Sequence, residues 1–190
     1  TWSAGNIAAD PTTAGHLAVA WSDMRNSQLP APADPYRAKT NSDVLVSQSF
    51  DGGQTWSAPA DLALPGDQFM PWAAYDSSGK LRVGFFDRSY DPANHLYGYT
   101  LASEKKAGTL GFTFSQLTTQ LSDPTQGDRW FSGRTPNAAF PHPSSFIGDY
   151  SGIGGSPSGG VAALWTDLRN TTCFTTRCGL GEDAFYATGS

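Results

Sequence analysis

Along this chain hydrophobic and polar positions alternate in short runs, and Gly, Pro, Asn, Asp or Ser closes each run. A period of two places every second side chain on the same face of an extended backbone, so each run predicts a strand with one face buried. No window of about 11 to 18 residues holds a helical period, and an all-β fold follows. Three of the runs are versions of one element: a glycine turn, an alternating strand and a polar exit. The first is Gly15-His16-Leu17-Ala18-Val19-Ala20-Trp21-Ser22-Asp23-Met24-Arg25-Asn26, and the second is Gly79-Lys80-Leu81-Arg82-Val83-Gly84-Phe85-Phe86-Asp87-Arg88-Ser89. The third is Gly159-Gly160-Val161-Ala162-Ala163-Leu164-Trp165-Thr166-Asp167-Leu168-Arg169-Asn170. A polar loop and a further strand follow each copy, over 43–48, 96–102 and 183–188. In the middle repeat the pieces predict an inner strand over 68–75, a second over 80–86, a third over 96–102 and an outer one from Phe114.

Between the third and fourth strands of the first repeat lies Ser49-Phe50-Asp51-Gly52-Gly53-Gln54-Thr55-Trp56. Asp51 can accept hydrogen bonds from backbone N–H groups of its own turn, and Gly52 and Gly53 tolerate positive φ. Trp56 is expected to open the next strand with a large apolar surface to bury. A degenerate version spans 103–115; it keeps Gly111, Thr113, Phe114 and Ser115, lacks the aspartate, and has Glu104-Lys105-Lys106 as a longer charged turn. Thr1-Trp2-Ser3-Ala4 repeats Thr55-Trp56-Ser57-Ala58, and 183–190 lines up with 43–50. The expected organisation is therefore a single domain over 1–190, with approximate repeats 1–54, 55–112 and 113–190 cut inside the turn motif.

The full match of 49–56 to the Asp-box pattern S-x-D-x-G-x-T-W resembles the sialidase-type (BNR, Asp-box repeat) β-propeller superfamily. The Gly148-Asp149-Tyr150 segment, the Trp165-Thr166-Asp167-Leu168-Arg169-Asn170 strand and Asp87-Arg88 leading to Asp91-Pro92-Ala93-Asn94 look like its uncharacterised bacterial secreted sialidase-like subgroup. The resemblance implies a β-propeller of four-stranded antiparallel blades. About three blades are present, half of a six-bladed ring, so further blades from a parent chain or a second copy are expected to cover the open edges. It also makes Ser49, Asp51, Gly53, Thr55 and Trp56 a structural Asp-box, on the end opposite the active face.

Charge and cysteines narrow the setting. A net charge of −5, with twelve Lys and Arg and no basic run, argues against a nucleic-acid partner. No apolar stretch approaches the length of a membrane span. No signal peptide opens the given sequence, which starts in mid-motif, so this says nothing about a parent chain. The two cysteines, Cys173 and Cys178, share one polar loop with no neighbouring His. A loop-stapling disulfide is expected, with two free thiols as the other reading, and the disulfide implies an oxidising, extracellular or periplasmic location. Asn170-Thr171-Thr172 is a formal glycosylation sequon.

Candidate chemistry gathers where the second strands exit. Asp23 and Arg25, Asp87 and Arg88, and Asp167 and Arg169 recur there. The resemblance implies that Arg25, Arg88 and Arg169 grip the carboxylate of an acidic sugar, because guanidinium forks match a carboxylate bidentately. It likewise implies a tyrosine nucleophile and an aspartate acid/base, which would be Tyr150 and Asp149; alternatively Asp149 and Asp87 form a carboxylate pair. The competing reading makes the recurring Asp and Arg pairs inter-blade ion pairs or strand-end caps. The long loop over 121–145 adds Trp130 and Arg134 as candidate sugar contacts, or as residues that pack the loop down. The Arg-Ile-Pro motif of sialidase domains is absent, Gly133-Arg134-Thr135-Pro136 being its faint echo, and no glutamate stands in partner position. The expected function is an extracellular exo-acting glycoside hydrolase of sialidase type, or a fragment of one, taking a glycan or glycoconjugate and no cofactor or metal. The alternative is a non-catalytic Asp-box propeller that binds glycan or protein.

Overall fold

A computed structural model of the chain describes residues 5–26, 41–124, 151–156, 159–174 and 177–189. The first sheet joins β1 (Gly5–Ala9), β2 (Leu17–Asp23), β3 (Asp43–Ser49) and β4 (Ala60–Asp61) in chain order. The second joins β5 (Gln68–Tyr75), β6 (Leu81–Asp87), β7 (Gly98–Glu104) and β8 (Phe112–Gln116) in the same way. In the third, β9 (Gly152–Ser156), β10 (Gly160–Asp167) and β13 (Asp183–Gly189) are neighbours, and the hairpin of β11 (Thr171–Phe174) and β12 (Arg177–Leu180) is inserted before β13. All pairings are antiparallel. No α-helix occurs among the described residues, so none is long and apolar enough to cross a membrane.

The strand boundaries depart from the sequence expectation at the edges. β7 begins at Gly98 because Tyr97 forms an isolated bridge with Ser122, and β8 begins at Phe112 rather than Phe114. The inner strand of the third sheet is Gly152–Ser156. The loop holding the two cysteines is itself a hairpin, and Cys173 and Cys178 are directly paired across it and joined by a disulfide.

The sheets pack face on face. In the second sheet Val83 and Phe85 point toward the first, into a core with Ala18, Ala20, Val44 and Val46. Their neighbour Phe86 points the other way, with Tyr99 and Leu101, into a core with Ile153, Val161, Ala163 and Trp165. Every residue of β6 is consequently buried, which explains an apolar run with little polar alternation. Aromatic rings fix the second junction: Tyr99 stacks on Trp165 with centroids 5.1 Å apart, and Phe86 meets Phe69, Tyr97 and Tyr99. Gly84 lets the third sheet approach, since a Cβ there would lie 2.5 Å from Ile153 Cδ1.

The inner strand β5 ties the three sheets together. Pro71 has no N–H to give the ladder, and the register shifts between Phe69 and Trp72, with Met70 at φ +51°. The backbone groups released at this bulge turn outward. The Met70 N–H donates to Ser22 Oγ of the first sheet at 3.0 Å, and its carbonyl accepts from Ser151 Oγ beside the third at 3.3 Å.

Candidate functional site

The antiparallel register sorts the polar residues to two ends. Asp23 lies opposite Asp43 at one end of β2, while Leu17 lies opposite Ser49 at the other, so strand exits and the 49–56 turn occupy opposite ends.

At the strand-exit end the last residue of β2, β6 and β10 is an aspartate that caps its own turn. Asp23 Oδ1 accepts the Arg25 N–H at 2.7 Å, Asp87 Oδ1 the Ser89 N–H at 2.8 Å, and Asp167 Oδ1 the Arg169 N–H at 3.0 Å. This is the aspartate turn that stops each strand. The arginines then divide. Arg25 Nη2 reaches Asp23 Oδ2 at 2.7 Å and its side chain stays 52% exposed. Arg169 makes a two-pronged pair with Asp167, at 2.8 Å from Nε and 2.5 Å from Nη2, and lies 4.1 Å from the centroid of Phe185. Arg88 turns from its own strand end to Asp67, 3.3 Å away, and lies over Phe69. The side chains of Arg88 and Arg169 are only 17% and 19% exposed.

Electrostatics follow the pairing. The Arg25 guanidinium, with smaller help from the Trp21 indole and the Arg25 N–H, holds the Asp23 carboxyl well below the usual range. Asp23 and Asp167 in turn raise Arg25 and Arg169. Asp43 goes the other way: burial pushes it up, and Asp61, Asp67 and Asp23 add to the rise against the Asn26 hydrogen bond. The end of the first sheet is thus acidic, with Asn26 donating to Asp61 at 2.5 Å and to Asp43 at 3.1 Å.

Asp87 is fully buried. Besides the Ser89 N–H it accepts Ser89 Oγ at 2.9 Å, Thr100 Oγ1 at 2.6 Å and Gln68 Nε2 at 3.4 Å. With both oxygens engaged inside the sheet it holds strand ends together and has no open side for a sugar. Asp149, Tyr150, Trp130 and Arg134 lie outside the described residues.

At the other end the box forms the turn that its residues predict. Asp51 accepts the Thr55 N–H at 2.9 Å, Thr55 Oγ1 at 2.6 Å and Ser49 Oγ at 2.8 Å, while Gly52 and Gly53 have φ of 75° and 91°. These bonds, Thr55 foremost, pull the Asp51 carboxyl down to about 2. Trp56 differs from expectation. It is 39% exposed and folds back to donate its indole N–H to Gly53 at 3.1 Å, and the next strand starts only at Ala60.

Two clusters at this end escaped the sequence reading. Glu104, expected in an open charged turn, is buried and takes over the missing aspartate's task, accepting the N–H groups of Thr109 and Leu110 at 2.8 and 2.9 Å and that of Leu81 at 3.1 Å. Its signal was position, directly before the degenerate turn. The second is His16, buried between sheets: Nδ1 lies 2.8 Å from Asp10 Oδ2 and Nε2 lies 3.1 Å from Tyr75 OH. Burial raises Tyr75, so its hydroxyl keeps its proton. No single segment of the chain carries that cluster, and nothing local announced it.

Among the described residues no group of His, Cys, Asp or Glu side chains is arranged to hold a metal ion. The described part of the strand-exit end therefore offers three guanidiniums each paired with an aspartate, that of Arg25 half exposed, and an acidic rim. No protein-family model matches the chain, and no curated protein matches it.

Proposed function

We propose that the stacked sheets are blades of a sialidase-like Asp-box β-propeller, and that this extracellular propeller takes an acidic glycan at its strand-exit end. The observation that carries the reading is the recurrence of one aspartate cap with an arginine beside it at the same end of three successive sheets, away from the box. Arg25 is the arginine placed to meet a carboxylate, being half exposed and paired on one prong only. Hydrolysis in this reading rests on Tyr150 as nucleophile and Asp149 as acid/base, without Asp87, whose oxygens are both engaged by Ser89, Thr100 and Gln68.

A second reading, glycan or protein binding without turnover, is favoured by the arginines themselves. Arg88 and Arg169 are held by Asp67 and Asp167, so a ligand carboxylate would have to displace an aspartate already in place. Fluorogenic release from a panel of aryl glycosides led by the sialoside, run beside the Tyr150→Phe variant, separates the two. Turnover that disappears in the variant supports the tyrosine-dependent hydrolase. Glycan binding that weakens in Arg25→Ala with no turnover on any sugar supports the binding propeller, and absence of both overturns the glycan reading.

A further inference from the structure

β8, the outer strand of the second sheet, has a free edge. Bonds from the Leu117 N–H to the Tyr99 carbonyl and from the Lys105 N–H to the Gly111 carbonyl fix which residues of this segment face β7. With Thr113 opposite Ser103 and Ser115 opposite Leu101 in the same register, the N–H and C=O groups of Phe112, Phe114 and Gln116 point away from β7. These groups have no partner among the described residues. Thr113, Ser115 and Gln116 are exposed, and Phe114 is 40% exposed. Two other edges are closed off. The inner edge of β5 is capped by Asn6, Ser22 and Ser151, which take backbone groups of Ala73 and Met70, and the outer strand β4 is two residues long and follows Pro59. β8 lacks such guards, since residues 107–122 contain no charged side chain and no proline. The second sheet is packed on both faces, by the first sheet and by the third. Its open edge therefore does not follow from a missing neighbour, and a further sheet stacked face on face would leave that edge as it is.

We infer that β8 pairs antiparallel with β8 of a second copy of this chain, with Phe114 opposite Phe114 about a two-fold axis. The inference goes beyond the glycan reading and does not depend on it. Its support is that the edge is complementary to itself. With Phe114 at the centre, Phe112 of each copy meets Gln116 of the other, and every one of these pairs is of the kind that exchanges both backbone bonds. The two Phe114 rings then lie side by side on one face of a continuous sheet, as cross-strand neighbours. Charge points to the same edge: a chain of net charge −5 repels its copy, and the uncharged stretch 107–122 brings no like charges together. A two-fold contact uses each edge once and closes as a dimer.

The test is the solution mass of the chain by light scattering, beside Phe114→Pro. Proline at this position removes the outward N–H and none of the bonds to β7. The expected result is twice 20.2 kDa for the wild type and 20.2 kDa for the variant, with an unchanged β-sheet circular dichroism spectrum. Phe114→Lys, which keeps every backbone group, is also expected to be monomeric and serves should Phe114→Pro not fold. Cysteine substitution reads the register. Under oxidised glutathione Phe114→Cys should cross-link two copies through a disulfide, because a residue opposite itself in such a pair lies about 5.5 Å away between Cα atoms, whereas Phe112→Cys, opposite Gln116, should not. A wild-type monomer overturns the inference and leaves the edge to an extended segment of another protein. A dimer that persists in both Phe114→Pro and Phe114→Lys overturns it too, since the contact then lies elsewhere. Cross-linking at Phe112 but not at Phe114 overturns the register, and open-ended polymers overturn the closed pair.

Discussion

The side-chain amide of Asn6 engages both backbone groups of Ala73, donating to the carbonyl at 2.8 Å and accepting the N–H at 2.7 Å. Asn6 is on the inner strand of the first sheet and Ala73 on that of the second. Ala73 lies on the free edge of β5, where a ladder partner is missing, and the amide stands in for one. Asn6→Ala leaves both groups unpaired at a packed junction and is expected to lower stability by about 2 kcal/mol. Asn6→Asp restores the acceptor but not the donor and should fall between. Urea denaturation of the three proteins checks the order; equal midpoints would mean that water replaces the amide at no cost.

Asp87 distinguishes a strut from a reacting group. Asp87→Ala leaves the Ser89 N–H without its acceptor and the Thr100 hydroxyl with Tyr90 alone, and a loss of about 3 kcal/mol is expected. The same denaturation measurement decides it. If Asp87→Ala is as stable as wild type and only an activity is lost, the structural assignment is wrong.

The Asp51 carboxyl, pulled down to about 2, implies acid lability of the box turn. Its folded value lies below the ordinary carboxylate value, so its contribution is present above about pH 4 and is lost as pH falls toward 2. Thr55→Ala removes the largest cause, the hydroxyl bond. The titration midpoint of the Asp51 side chain, followed by NMR, should move up toward the ordinary value in that variant. An unmoved midpoint would transfer the effect to the Thr55 N–H and Ser49.

Asp43 carries the opposite sign. Burial and the neighbouring Asp61, Asp67 and Asp23 raise it, so the folded protein holds its charge at a cost at neutral pH, and that cost disappears as pH falls below the ordinary carboxylate value. Asp43→Asn should be more stable than wild type at pH 7 and lose its advantage near pH 4. Thermal melts at the two pH values test this. Destabilisation at pH 7 would show that the Asn26 and Asn41 hydrogen bonds to Asp43 outweigh the repulsion.

The local alternation of the chain determined the strands and their order, because period-two patterning and glycine turns act within a few residues. β5 was legible from end to end, and the Asp51 turn formed from the Ser49, Gly53 and Thr55 that predict it. The disulfide was legible too, since Cys173 and Cys178 are near in sequence before they are near in space. The recurring aspartate and arginine were visible as a pattern, but their partners were not. Arg88 chooses Asp67 across 21 positions, whereas Arg25 and Arg169 choose the aspartate two residues back. Only the tertiary structure decided that, because which carboxylate a long flexible side chain reaches depends on neighbouring strand ends and on the Phe69 and Phe185 rings beneath. The same holds for Glu104, charged and polar by sequence yet buried once the amides of Leu81, Thr109 and Leu110 converge on it. Ile7 and Tyr186 are exposed although they stand in alternating runs like that of buried Ala163 and Trp165. Alternation states which side is apolar; what covers it depends on the sheet that arrives.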